Sequence, residues 1–428
     1  MKIPVATVEF TKSGQVADDT QVAAALATVT DARATDVLIL SHGWNNDMAA
    51  ARRLYDRIRQ SLASVPPASP SVRLVVLGVF WPSVRWADDD QIAGGGVSVG
   101  DAEGELAAAI DAAVDDADLA EQLREAMSYL DTADGRARFV ATARSLLVDN
   151  DAAVADDEDG APSTLVSSDP DEVFAAVRDA VVMGEDSVGP AAKPADLAPG
   201  VAPDLLAESG TTGAGLFGLS WPSLARQVLN TFTYYTMKAR AGDVGTRGVA
   251  PLIDRLNAMT DAPRVHLAGH SFGARVVAAA ATAATTPVAS MTLLQGAFSH
   301  YGFTENYADT GKDGAFVRAV ASGHIQGPVV ITHTHNDKAV GLAYAIASRL
   351  ARQAGAGLGD RSDLYGGIGA NGSVGTGAIE SVLLDRDGSY AFSNRRIHNL
   401  LADDYVQGHS DVTNPEVVNA LAQAMAVR

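Results

Sequence analysis

The sequence predicts an α/β protein built on a mainly parallel, doubly wound sheet, with an acidic, largely helical segment inserted into it. Three observations lead there. Short β-branched runs read as buried strands, helix-period segments separate most of them, and more than 180 residues lie between two of the strands, far more than one crossover connection needs.

Taken in order, Ile3 to Phe10 alternates in the manner of a strand, and the expectation is an antiparallel one near the start. Val37 to Leu40 is a buried strand, Met48 to Ala63 an amphipathic helix, and Arg73 to Val79 a second buried strand. The core then breaks off, which sets the expected domains as 1–84 with 223–428 for the core and 85–222 for a cap-like insertion. Within the insertion Asp101 to Leu147 reads as helical, with Leu106, Ile110, Val114, Leu119 and Leu123 at spacings of four or five. Asp149 to Ser168 and Gly184 to Gly218 have the composition of linkers. The core resumes with a helix over Leu224 to Arg240, strands at Arg264 to Ala268, Ser290 to Leu294 and Pro328 to Thr332, helices at Ala274 to Ala284 and Ala339 to Gln353, a further strand at Glu380 to Leu384, and a closing helix through Met425.

Composition narrows the function. With 47% hydrophobic and 20% charged residues the chain is an ordinary globular one, not a disordered one. It has no cysteine, which excludes disulfides, thiolate metal sites and a cysteine nucleophile and leaves the redox compartment open. The net charge of −20 is concentrated: residues 86–215 hold 29 acidic against 6 basic residues, and everything else sums to about +3. That surface disfavours nucleic acid and anionic membranes, and it reads first as a solubilising face. The start of the chain lacks the apolar run of a signal peptide, and no stretch suits a membrane anchor, so a cytoplasmic location without stable membrane insertion is expected.

Gly269-His270-Ser271-Phe272-Gly273 is a G-x-S-x-G motif that follows an apolar strand and leads directly into a helix-forming run. That is the strand, turn and helix setting of a nucleophile elbow. A sharp turn holds the serine in a strained conformation and brings neighbouring chain segments close, so Gly269 and Gly273 have little room for a side chain. The helix that follows points its positive end at the serine, favouring a developing oxyanion.

On these residues the chain resembles the α/β-hydrolase superfamily of serine esterases and lipases. Leu40-Ser41-His42-Gly43-Trp44, after an early strand, looks like that family's His-Gly loop. The resemblance implies an oxyanion hole made of the backbone N–H groups of Phe272 and Trp44. His42 itself reads as a histidine that holds the loop by local hydrogen bonds, and the Trp44 ring as a packing group. A serine needs a base and an orienting carboxylate, and the fold orders them serine, acid, histidine. Asp337, in His333-Thr-His-Asn-Asp337 after a strand, looks like the family's acid, with an N-cap role as its plain alternative and Asp360 and Asp363 as competing acids. His409, in Gln407-Gly-His-Ser-Asp411 before the last helix, resembles the family's base; His398 is the competitor. His333 and His335 make a weak metal pair, and no cofactor is expected.

A serine nucleophile forms an acyl-enzyme, so the implied substrate is an ester, thioester or amide, with a small or medium uncharged carboxylic ester favoured. Acyl transfer, amidase or peptidase activity through the same triad, and a non-catalytic interaction protein, are the alternatives. The aromatic residues Phe232, Tyr234 and Tyr235 read as core packing or as a pocket lining, and Lys238 and Arg240 as solvated, with contact to an anionic group as their alternative.

Overall fold

The computed structural model describes residues 3–44, 48–65, 71–83, 102–114, 116–148, 161, 163–187, 220–337, 340, 361, 364 and 366–428. Asp360, Asp363, most of the expected helix over Ala339 to Gln353 and most of the two linker segments lie outside the described residues. The elements begin β1 (Val5–Glu9), α1 (Asp19–Asp31), β2 (Asp36–Ser41), α2 (Met48–Ser64) and β3 (Leu74–Phe80). The helices α3 (Ala102–Ala113), α4 (Ala117–Met127), α5 (Ala133–Val148), α6 (Ser163–Ser167) and α7 (Pro170–Ser187) follow, then α8 (Trp221–Asp243), a π-helical turn (Val244–Val249) and α9 (Ala250–Asn257). The remainder is β4 (Arg264–His270), α10 (Phe272–Ala283), β5 (Ser290–Leu294), α11 (Val317–Ala321), β6 (Val329–His333), α12 (Ile368–Asn371), β7 (Ile379–Val382), β8 (Ile397–Leu401) and α13 (Pro415–Ala426).

One eight-stranded sheet in the order β1-β3-β2-β4-β5-β6-β8-β7 organises the chain, and every described strand pair in it is parallel. The expected antiparallel strand near the start is therefore corrected: β1 runs parallel to β3, with Val5 opposite Val76. The reason is α1, a helix the sequence reading passed over, whose N-terminus is capped by Asp18 accepting the Thr20 N–H. A helical crossover returns the chain to the same end of the sheet, which a short hairpin cannot do.

Side chains alternate across the strands and build two cores. Val37, Ile39, Val75, Leu77, Val265 and Leu267 face α1, α8, α9 and α10. Leu38, Leu40, Val76, Ala268 and Leu294 face α2 and α13. Both faces of the central strands are thus covered, as the continuous apolar runs predicted, and each fully buried Val, Leu or Ile side chain contributes about 1.5–3 kcal/mol.

The described part of the insertion is helical. Leu106, Ile110, Val114 and Leu123 are buried as their spacing predicted. The five-residue step from Val114 to Leu119 marks a break: Asp116 accepts the N–H groups of Asp118 and Leu119 and starts α4 as a new helix. α3, α5 and α7 pack on α8, which also packs on α10. The expected boundary at 222/223 falls in the first turn of α8, and the apolar cluster on that face of the sheet continues without interruption into Phe139, Phe174 and Val177. Among the described residues no helix is long and apolar enough to cross a membrane.

Candidate active site

In an open parallel sheet the carboxyl ends of the strands are where loops diverge, most widely where the winding reverses. Here β2 leads through α2 to β3 on one side, β4 leads through α10 to β5 on the other, and β2 and β4 are paired neighbours with Ser41 opposite Gly269. Topology alone places the loop at 42–44 beside the turn at Ser271, at the reversal of the winding.

Ser271 sits at that reversal with φ 57° and ψ −125°, a left-handed conformation in a residue with a side chain. Such a backbone costs about 1–3 kcal/mol and persists only when its surroundings hold it. They do so here: the Ser271 N–H donates to Leu294 O at 3.1 Å, and Ser271 O accepts from the N–H groups of Ala274 at 3.0 Å and Ala297 at 3.1 Å. The glycines are required by close approach. A Cβ on Gly273 would stand 2.2 Å from Ser41 O, and one on Gly43 would stand 2.6 Å from Ser271 Cβ. The loop after β2 and the turn after β4 therefore touch backbone to backbone, and Phe272 opens α10 with an N–H that has no acceptor within its own helix.

The acid and the base meet. His409 Nδ1 lies 2.8 Å from Asp337 Oδ2, with both side chains buried. A carboxylate only accepts, so Nδ1 carries the proton and Nε2 is left as the acceptor. Asp337 Oδ1 takes the Val340 N–H at 3.0 Å, three residues on, so one carboxylate serves both a main-chain donor and the imidazole. The His409 ring centroid is 4.9 Å from that of His270, the residue before the serine, and His270 Nε2 donates to His409 O at 2.8 Å. Among the described residues no hydrogen bond joins Ser271 to His409, an approach that in enzymes often tightens only around substrate.

His42 has the local role expected of it. Its Nδ1–H donates to Gly43 O at 2.9 Å, its Nε2 accepts the Trp81 N–H at 3.4 Å, and its ring stacks on Trp81 at 5.5 Å. The Trp81 indole N–H returns to His42 O at 3.0 Å, while the Tyr55 hydroxyl accepts the His42 N–H at 3.0 Å. Burial lowers the His42 pKa to about 4, so the ring is neutral near pH 7. Trp81 and Tyr55 were missed by sequence reasoning; they lie on the neighbouring strand end and helix, with no motif around them.

The Trp44 ring packs 6.0 Å from Phe272 and 6.3 Å from Tyr234, and Tyr234 lies 5.2 Å from Phe272, so α8 reaches the two residues assigned to the oxyanion hole. Phe232 is core. The expectation that Lys238 and Arg240 are solvated is overturned, since both are buried. Lys238 Nζ lies 5.9 Å from the Tyr234 ring and 5.8 Å from that of Tyr235, and Arg240 donates to Pro82 O at 2.8 Å, because α8 has sheet on one side and insertion on the other.

The competing histidines go elsewhere. His398 lies within β8 and accepts the Ser393 N–H at 3.1 Å. His333 donates to Ala370 O at 3.3 Å and is held neutral by burial with a pKa of about 4, whereas the exposed His335 turns away to Asp403 at 2.8 Å. Among the described residues no three His, Asp or Glu side chains gather to hold a metal ion. Gln295, the residue after β5, also has a positive φ of 43° and accepts the Thr332 hydroxyl at 3.1 Å; nothing in its local sequence marks it.

No family model, curated protein or solved structure matches the chain, so the site is read from its own geometry.

Proposed function

We propose that this protein is a serine hydrolase of the α/β-hydrolase type that cleaves a carboxylic ester through an acyl-enzyme. The observation that carries the reading is the buried His409–Asp337 pair at 2.8 Å, its imidazole 4.9 Å ring to ring from His270, the residue before a strained serine at a topological switch point. In the proposed first half-reaction Ser271 Oγ attacks the ester carbonyl while His409 Nε2 takes its proton. Asp337 keeps the other imidazole proton aligned and stabilises the imidazolium. The tetrahedral oxygen is met by the N–H groups of Phe272 and Trp44, a contribution of about 3 kcal/mol for each donor. The C–O bond then breaks, the alcohol leaves with the proton from His409, and water repeats the sequence to free the acid and restore Ser271.

A serine nucleophile points to acyl chemistry, and an uncharged ester is the best fit because the negative field of residues 86–215 opposes anions. The test is turnover of p-nitrophenyl esters over a range of acyl lengths, with fluorophosphonate labelling of the intact chain mapped by mass spectrometry. Labelling at Ser271 together with ester turnover is expected. A chain that neither turns over any of these esters nor takes label at Ser271 is not a serine hydrolase.

A further inference from the structure

His270 stands directly before the nucleophile, buried, at the paired end of β4, and its imidazole reaches the backbone of the residue proposed as the base. The acceptor is a carbonyl, so His270 Nε2 must carry the proton and the contact is a true donor bond. We propose, on the hydrolase reading above, that His270 is a positioning residue which ties the His409 loop to the strand carrying Ser271 and so sets the distance between hydroxyl and imidazole.

Among the described residues the His409 ring has one side-chain hydrogen bond, to Asp337 at Nδ1. A ring held at one nitrogen can swing about that bond, and Nε2 sweeps the widest arc. Fixing the backbone of His409 removes the swing. His270 is suited to do so because it cannot move relative to the serine: one peptide bond joins them, β4 pairs on one side with β2 and on the other with β5, and His270 itself lies opposite Leu294. The charged or titratable groups facing the His270 ring are His409, with Asp337 behind it, and His42 from the loop after β2. Burial and those two neighbours push the His270 pKa down to about 3, which keeps the ring neutral and removes it as a rival base near pH 7.

The experiment compares three variants of the full chain. His270→Phe keeps the ring's bulk without a donor, His270→Gln places an amide N–H within reach of the carbonyl, and His270→Asn carries the same amide one methylene short. A displacement of about 1 Å at a catalytic group costs on the order of 10²-fold. The expected result is kcat for p-nitrophenyl ester lowered by about 10–100-fold in His270→Phe with KM nearly unchanged, recovery of most of it in His270→Gln, and His270→Asn below His270→Gln. Fluorophosphonate labelling rates should follow the same order. If His270→Phe does not fold, the Gln and Asn pair decides. Equal kcat in those two, or wild-type kcat in His270→Phe, overturns the proposal while leaving the hydrolase reading intact. Wild-type turnover in His409→Ala overturns that reading and this proposal with it.

Discussion

Two groupings of serine, histidine and aspartate lie at opposite ends of the same sheet. At the amino edge His266 is 2.7 Å from Ser290 Oγ and 3.2 Å from Asp36 Oδ1, so the serine-to-histidine contact absent at Ser271 is present here. Yet Ser290 lies in the extended backbone of β5, and Asp36 is already occupied by Arg264 at 3.3 Å, Arg428 at 3.6 Å and the Thr35 hydroxyl at 2.7 Å. The same Arg264 donates to Met425 O and Val427 O, so this grouping fastens the end of the chain. At the carboxyl edge the serine is strained and a helix starts at it. Hydrogen-bond pattern alone does not separate the two; backbone strain and position in the winding do.

The sharpest way to break this contrast is to remove each serine in turn. Ser271→Ala should cost on the order of 10⁵-fold or more in kcat, while Ser290→Ala should keep ester turnover within about twofold. Comparable losses in both would erase the distinction. The aspartates divide the effects differently. Asp337→Asn should lower kcat by roughly 10⁴-fold. Asp36→Asn should spare kcat but lower unfolding free energy by on the order of 3 kcal/mol, read from urea curves, because His266 and Arg264 lose their shared anion.

Acid titration sharpens the comparison from the side of stability. Burial lowers the pKa of His42 and His333 to about 4, that of His270 to about 3, and that of His266 in the same direction. For a histidine whose folded pKa lies below the unfolded 6.5, only the unfolded chain gains protons as pH falls from 6.5 to about 4, so stability drops across that window. Asp36 adds to the loss below 3.8, where its lowered carboxylate pKa ceases to protect the fold. The urea midpoint should be level from pH 8 to 7 and fall steadily from 6.5 to 4; a level midpoint down to pH 4.5 would contradict neutral buried imidazoles. The smallest effect belongs to Tyr55→Phe. It strips Val79 O and the His42 N–H of a shared hydroxyl and should cost about 1–3 kcal/mol by urea unfolding.

Much of this was legible before any coordinates. The strands β2 to β6 announce themselves as β-branched runs, and the motif that marks Ser271 and the chain order that follows it also pick out Asp337 and His409, which the fold brings to 2.8 Å of each other. β8 did not, because Ile397-His-Asn-Leu-Leu401 carries two polar residues in its middle; Asn399 is paired with Ser373 and Glu380 only once the sheet exists. The Asp36–His266–Ser290 grouping was equally invisible, since it arises from registers that set His266 opposite Ser290 and Asp36 opposite Arg264. No local sequence signal reports contacts between residues 230 positions apart. The burial of Lys238 and Arg240 was hidden for a related reason: a helix with cover on two sides has no solvated face to reveal.

That helix has one more consequence. α8 begins among the helices of the insertion and ends against α10, where Arg275 donates to Lys238 O at 2.8 Å. It is a single 23-residue rod shared by both parts. Excising the segment before it as if it were a detachable cassette would leave Leu224, Val228 and Phe232 bare on a rod still bolted to the helix that follows the serine. The trimmed protein should be sticky and poorly folded, and not a minimal enzyme.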